Sequence, residues 1–174
     1  MALSTKMGKT CPMKIYVDAD AFPRAIHEIL FRAVERLRIP LVLVSNKNQK
    51  HRSSDLVSMI VVNEGPDVAD DRIVEMVQAG DLVVTADIPL ASRAIDKGAS
   101  ALDPRGRIHS EANIKQRLAM RDLMNELRKN GEITGGPPVF GTREVRDFAN
   151  QLDKFLTKRL KEIASKQKIA AIPS

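Results

Sequence analysis

The chain has 174 residues, long enough for one well-buried domain and too short for two ordinary ones. Hydrophobic residues at 43% and charged residues at 29% give a normal globular balance, while aromatics at 3% demand an aliphatic core and exclude a single-strand reader built on stacked rings. A net charge of +6 favours an anionic partner such as nucleic acid.

Residues 1–12 carry Lys6 and Lys9 but no apolar h-region, so they read as a disordered extension and not as a signal peptide. The single Cys11 can form no internal disulfide, which fits a reducing, cytoplasmic setting. No run approaches the length of a membrane span. One domain is expected over 13–162, with a flexible tail at 163–174.

The first apolar run closes in "KIYVDADAFP", residues 14–23, where Ile15, Tyr16 and Val17 form a strand that ends in Asp18 and Asp20. Strand faces alternate, so both carboxylates point the same way if the extension persists. Two like charges that close repel unless a cation, a proton or a base lies between them. A solvated turn with Asp20 capping the next helix is the alternative. Pro23 suits the first turn of a helix through Ile26, Leu30 and Leu37, which stops before Pro40.

"LVLVS", 41–45, reads as a strand buried on both faces, "NKNQKHR" as a basic loop, and "VSMIVVN", 57–63, as a third strand. Asp67 is placed to cap a helix through Ile73 and Val77 that ends at Gly80. "DLVVT", 81–85, is a fourth strand; a short helix closed by Gly98 and a possible fifth strand, "ASAL", follow. Strands alternating with helices predict an α/β domain of three layers, with a mainly parallel sheet of four to five strands covered on both faces. "DPRGRIHS" is expected to be a loop, Ser110 to cap a long helix to about Asn130, and Thr142 to open a last helix that ends near Glu162.

In open α/β sheets, ligands bind beyond the carboxyl ends of the strands. That edge should collect Asp18 and Asp20 from strand one, Ser45, Asn46 and Lys47 from strand two, and Thr85 and Asp87 from strand four. The helix before strand four brings Asp70 and Asp71 in its first turn, where each could equally serve the helix dipole. Gathering so many carboxylates at one edge destabilises a fold unless a cation compensates. Oxygen-only ligands suit Mg²⁺ or Mn²⁺ and not zinc. His27, His51 and His109 show no ligand spacing and read as surface or substrate-side residues.

Cations for substrate phosphates are available in Lys47, Lys50 and Arg52, and in Arg105 and Arg107 of "PRGR". On the long helix, at about 100° per residue, Arg117, Arg121 and Arg128 fall within roughly 40° of one another. They form a basic stripe beside Met120, Leu123, Met124 and Leu127. Phosphate contacts of this kind give affinity without sequence specificity.

"IYVDADAFP", "VSN", "GPDVADDRIV", "GDLVVTADIPLASRAIDKGA", "LDPRGR" and "GGPPVF" together resemble the bacterial YaiI/YqxD family from about Lys14 to about Leu156. That family is regarded as PIN-like, related in fold to PIN-domain nucleases. The resemblance implies a metal-dependent nuclease hydrolysing phosphodiester bonds, in RNA first, with Asp18, Asp70 and Asp87 as catalytic residues holding one or two Mg²⁺ or Mn²⁺ ions. Asp20 and Asp71 are further candidate ligands, and a homodimer is an expected assembly. The family commonly carries Cys where this chain has Phe22, so a thiol mechanism at that position is untenable. Two alternatives stand beside it: a PIN-like module that binds RNA or protein without cutting, and a haloacid-dehalogenase-type phosphatase with Asp18 as nucleophile. The phosphatase fits less well, because Ser45 follows too soon and Ala21 stands where a Thr is needed.

Overall fold

The computed structural model describes residues 12–51, 53–136 and 139–170. Arg52 and nearly all of the expected N-terminal extension lie outside the described residues. Among the described residues, five α-helices cover a six-stranded sheet in the order β3-β2-β1-β4-β5-β6. Its strands are β1 (Ile15–Asp18), β2 (Leu41–Ser45), β3 (Val57–Val61), β4 (Leu82–Val84), β5 (Ser100–Leu102) and β6 (Ile108–His109). The helices are α1 (Arg24–Leu37), α2 (Val68–Met76), α3 (Ile88–Asp96), α4 (Glu111–Lys129) and α5 (Thr142–Ala170).

β1 lies between β2 and β4 and pairs parallel with both, with Val17 opposite Leu43 on one side and Val84 on the other. The period-two alternation of the apolar runs sorts them between two cores. Ile15, Val17, Leu41, Leu43, Leu82 and Val84 pack under α1 and α5, whose Leu30, Phe148, Leu152 and Leu156 are fully buried. Tyr16, Val44 and Val83 face the other way, onto Ile73 of α2 and Leu90 and Ala94 of α3. Burial on both faces is why these strands read as continuous apolar runs. A smaller cluster of Ala91, Ile95, Ala101 and Ile114 attaches α4 to the end of the sheet.

Several expectations need correction. A single 3-10 turn, Ala19–Ala21, separates β1 from α1, and the helix cap position is Pro23 with no side-chain bond. Asp20 caps nothing there, because both its oxygens are taken across the sheet edge by Ser45 and Asn46. Asp67 occupies the cap position of α2 but in a left-handed conformation (φ 62°) without a capping bond. Side-chain capping needs an extended residue at that place. β3 ends at Val61, before Asn63.

The expected loop after β5 contains a sixth strand, antiparallel to β5. Asp103 N–H donates to Arg107 O and Gly106 N–H donates to Asp103 O, both at 2.9 Å, closing a turn that folds Ile108 back on Leu102. Gly106 makes the turn possible: its φ is 87°, and a Cβ there would lie 2.7 Å from the backbone of Asp147. α5 continues to Ala170, past the boundary expected near Glu162. Asp87 caps α3, accepting from Leu90 N–H at 3.0 Å.

Candidate acidic site and its arginine cleft

Strand order reverses between β1 and β4, where connections leave the sheet in opposite directions. That switch point opens a crevice beyond the strand ends. Asp18, the last residue of β1, is half-buried at this crevice. Thr85 and Asp87 follow β4; Thr85 is 1% exposed, and its Oγ1 accepts from Asp87 N–H at 3.0 Å. α2 supplies Asp70 from its first turn.

The three carboxylates act on one another. Burial pushes the Asp18 carboxyl above its ordinary value; the Asp20 backbone N–H opposes this, and the charges of Asp20 and Asp87 add to it. Asp70 is pushed up to about 6, first by burial, then by the charges of Asp87, Asp18 and Asp67, with only Arg93 pulling the other way. Desolvation and like charges both favour the protonated form. Among the described residues, however, no three His, Cys, Asp or Glu side chains are disposed to ligate one metal. Both facts hold together, because repulsion in a half-buried site reaches much further than a metal–oxygen bond.

The other two expected ligands are committed elsewhere. Asp20 accepts from the Ser45 hydroxyl and from Asn46 N–H at 3.0 Å, clamping β1 to the end of β2. Ser45, fully buried, accepts in turn from Lys47 N–H at 3.0 Å. Asp71 is exposed and pairs with Arg93 at 2.8 Å.

Beside the carboxylates lies a cleft of about 620 Å³, whose wall includes Ala86 and Ile88 on either side of Asp87. Arg107, Arg117, Arg121 and Arg128 line it. The arginine stripe expected on the long helix therefore faces the acidic edge. Arg105 does not join it: its guanidinium pairs with Glu144 at 3.8 Å and sits 5.6 Å over the Phe140 ring. Most of α4 is solvated, with only Ile114 buried, and Met120 and Leu123 are about half exposed.

His109 is 3% exposed and lines the cleft from β6, so it is no surface residue. Arg117 Nη1 donates to His109 Nδ1 at 2.8 Å and to Ile108 O at 3.0 Å. A guanidinium only donates, so Nδ1 must be the acceptor and the imidazole neutral. Burial and the charge of Arg117 hold His109 below its ordinary value, in agreement. No spacing signal links a strand histidine to a helix arginine eight positions on, which is why sequence alone misses this pair.

The fold and the site define an open, mainly parallel α/β domain with carboxylates at its switch point and a cationic cleft alongside. The chain belongs to the family described as "Uncharacterized BCR, YaiI/YqxD family", matched over residues 16–158. It is 52% identical over 155 residues to a UPF0178 protein of Trichlorobacter lovleyi, covering 89% of this chain and 100% of that one. UPF0178 proteins of Hahella chejuensis and Geobacter metallireducens are each 54% identical, over 86% and 87% of this chain and 99% and 97% of theirs. No solved structure gives a significant match. Among the described residues, no helix is long and apolar enough to cross a membrane.

Proposed function

We propose that the chain is a Mg²⁺- or Mn²⁺-dependent nuclease that hydrolyses phosphodiester bonds, with RNA as the first substrate to test. The mutual repulsion of Asp18, Asp70 and Asp87 beside an arginine-lined cleft carries this reading. Carboxylates held together at an energetic cost, next to cations suited to phosphate, are what a cation-assisted site on a polyanion needs.

The donor chemistry fits a hard divalent cation, since all three side chains offer carboxylate oxygen. Asp18, Asp70 and Asp87 would hold it on drawing closer together, because as they stand no three such groups among the described residues are disposed to ligate one metal. A bound cation would lower the pKa of a water and offset charge on the reacting phosphate. The protein's own groups prepare the place. Leu90 N–H fixes one oxygen of Asp87 and leaves the second, Thr85 holds the backbone of Asp87, and the Asp20–Ser45 clamp fixes the end of β1. Arg107, Arg117 and Arg121 bind phosphates without reading sequence.

The test incubates purified protein with labelled single- and double-stranded RNA and with a phosphomonoester, each with Mg²⁺, Mn²⁺ or EDTA. Metal-dependent RNA cleavage that disappears in Asp18→Asn and Asp87→Asn is the expected result. Cleavage that survives both substitutions comes from a contaminant and sinks the assignment. A second reading, a nucleic-acid-binding module without turnover, is favoured by the absence of a ready-made ligand shell among the described residues. It predicts metal-independent binding and no cleavage. Phosphomonoester hydrolysis alone would instead select the phosphatase.

A further inference from the structure

A second cleft, of about 400 Å³, lies on the β2–β3 side of the carboxylates, between α1 and the loop after β2. Its wall includes Leu43 and Met59, cross-strand partners on β2 and β3. Phe22 and His27 form another part, their rings perpendicular (88°) with centroids 6.1 Å apart, and Phe31 lies beyond His27 at 6.2 Å. Two of the chain's five phenylalanines thus line one small cleft. Exposed Arg24 and Lys50 line it as well, together with Glu28, Gln49 and His51.

We propose that this cleft is a nucleobase pocket: Phe22, His27 and Met59 hold the planar ring of a purine or pyrimidine, and Arg24 and Lys50 meet its phosphate. The choice of ligand rests on the nucleic-acid reading of the acidic site. Three observations support it. The volume lies in the range of small-molecule sites, about 300 to 1,000 Å³. Ring faces beside cations match a base joined to a phosphate, since stacking tolerates every base and charge is met separately. One hydrogen-bond chain also runs from this cleft toward Asp18: Gln49 Nε2, in the cleft wall, donates to Ser45 Oγ at 3.4 Å, Ser45 donates to Asp20, and the Asp20 backbone N–H bonds the Asp18 carboxylate. Burial holds the His27 imidazole below its ordinary value, so the ring is neutral near pH 7 and stacks without a charge to desolvate. The scarcity of aromatic residues excludes a platform for several bases. It does not exclude a pocket for one.

The experiment follows the methyl resonance of Met59 and the ring resonances of His27 in the full-length protein, in EDTA, during titration with adenosine 5′-monophosphate and, separately, ribose 5-phosphate. Base-dependent shifts at both residues, absent with ribose 5-phosphate, are expected. Phe22→Leu keeps apolar volume against the core and removes the ring, so it should weaken binding about tenfold; His27→Gln should weaken it in the same direction. Equal shifts from both ligands overturn the proposal. So do shifts confined to the arginine cleft, no shift at millimolar ligand, or affinity unchanged in both variants. Neither metal nor turnover is involved. A failed cleavage assay therefore leaves this result standing, and a failed titration leaves the cleavage assay standing.

Discussion

Replacing Asp70 by Asn should make the folded protein more stable while abolishing cleavage. The carboxyl of Asp70 is raised from 3.8 to about 6, so the folded state prefers it protonated. A carboxyl that titrates one pH unit higher in the folded chain than in the unfolded one costs about 1.4 kcal/mol when ionised, which gives about 3 kcal/mol before screening. Asp70 is only half-buried, and solvent screening reduces that to roughly 1 kcal/mol. Between the unfolded and folded values the folded state binds more protons than the unfolded one, so stability falls as pH rises through that window. The penalty is fully present above about pH 6 and disappears as pH falls toward 3.8. Asn carries no such penalty. The variant should therefore gain roughly 1 kcal/mol at pH 7.5, about 2 to 4 °C in Tm for a chain of this size, and almost nothing at pH 4.

Urea unfolding of wild type and Asp70→Asn at pH 7.5 and pH 4, in EDTA, measures this directly. A second titration adds Mn²⁺ at pH 7.5. Wild type should gain about 2.7 kcal/mol at a hundred times its dissociation constant, and the variant much less. A variant less stable than wild type at pH 7.5 refutes the claim that repulsion at Asp70 is uncompensated. A gain of equal size at both pH values refutes the electrostatic origin.

Arg117→Ala should weaken binding to single-stranded RNA and lower the slope of log K against log salt by about 1, measured by fluorescence anisotropy between 50 and 200 mM salt. An unchanged slope would remove Arg117 from the phosphate contacts. Asp87→Asn should separate two roles of one residue, because Asn still accepts from Leu90 N–H; Tm should stay within about 2 °C while cleavage is lost. Ser45→Ala removes a fully buried hydroxyl that donates to Asp20 and accepts from Lys47 N–H, and should cost about 1 to 3 kcal/mol in urea unfolding. A loss under about 0.5 kcal/mol would mean that the clamp contributes little.

The strands and the carboxylate edge were legible because they depend on local pattern plus one rule of topology. Continuous apolar runs at 41–45 and 81–85 can be satisfied only between two helical layers, and the crevice then follows from strand order. The arginine stripe was legible too, since helical periodicity alone fixes that Arg117, Arg121 and Arg128 share a face. What failed depended on partners far away in the chain. Asp20 reads as a cap until Ser45 and Asn46 are seen to reach it from 25 and 26 residues away. Arg105 reads as a substrate cation until Glu144 and Phe140 claim it. The strand at Ile108–His109 is two residues long, too short for any period to show, and exists because Gly106 allows the turn before it.

Asp81 shows what separates a carboxylate that builds the fold from one that is available for chemistry. At 5% exposure it is more buried than Asp18 or Asp70, and it stands at the opposite end of β4 from Asp87. Its two oxygens accept from Lys14 N–H and Gln78 N–H, both at 2.9 Å, which ties β1 and the end of α2 to the start of β4. Burial alone therefore does not mark a functional acid, because backbone donors can satisfy a buried carboxylate completely. Asp20 and Asp71 are settled in the same way, by Ser45 and Asn46 and by Arg93. Asp70 differs in kind: its neighbours are mainly other carboxylates, and the single opposing cation is already paired with Asp71. A fold retains such an uncompensated group at a cost that any divalent ion at the switch point would lift, and this places Asp70, with Asp18 and Asp87, ahead of every other acid in the chain as the group to substitute first.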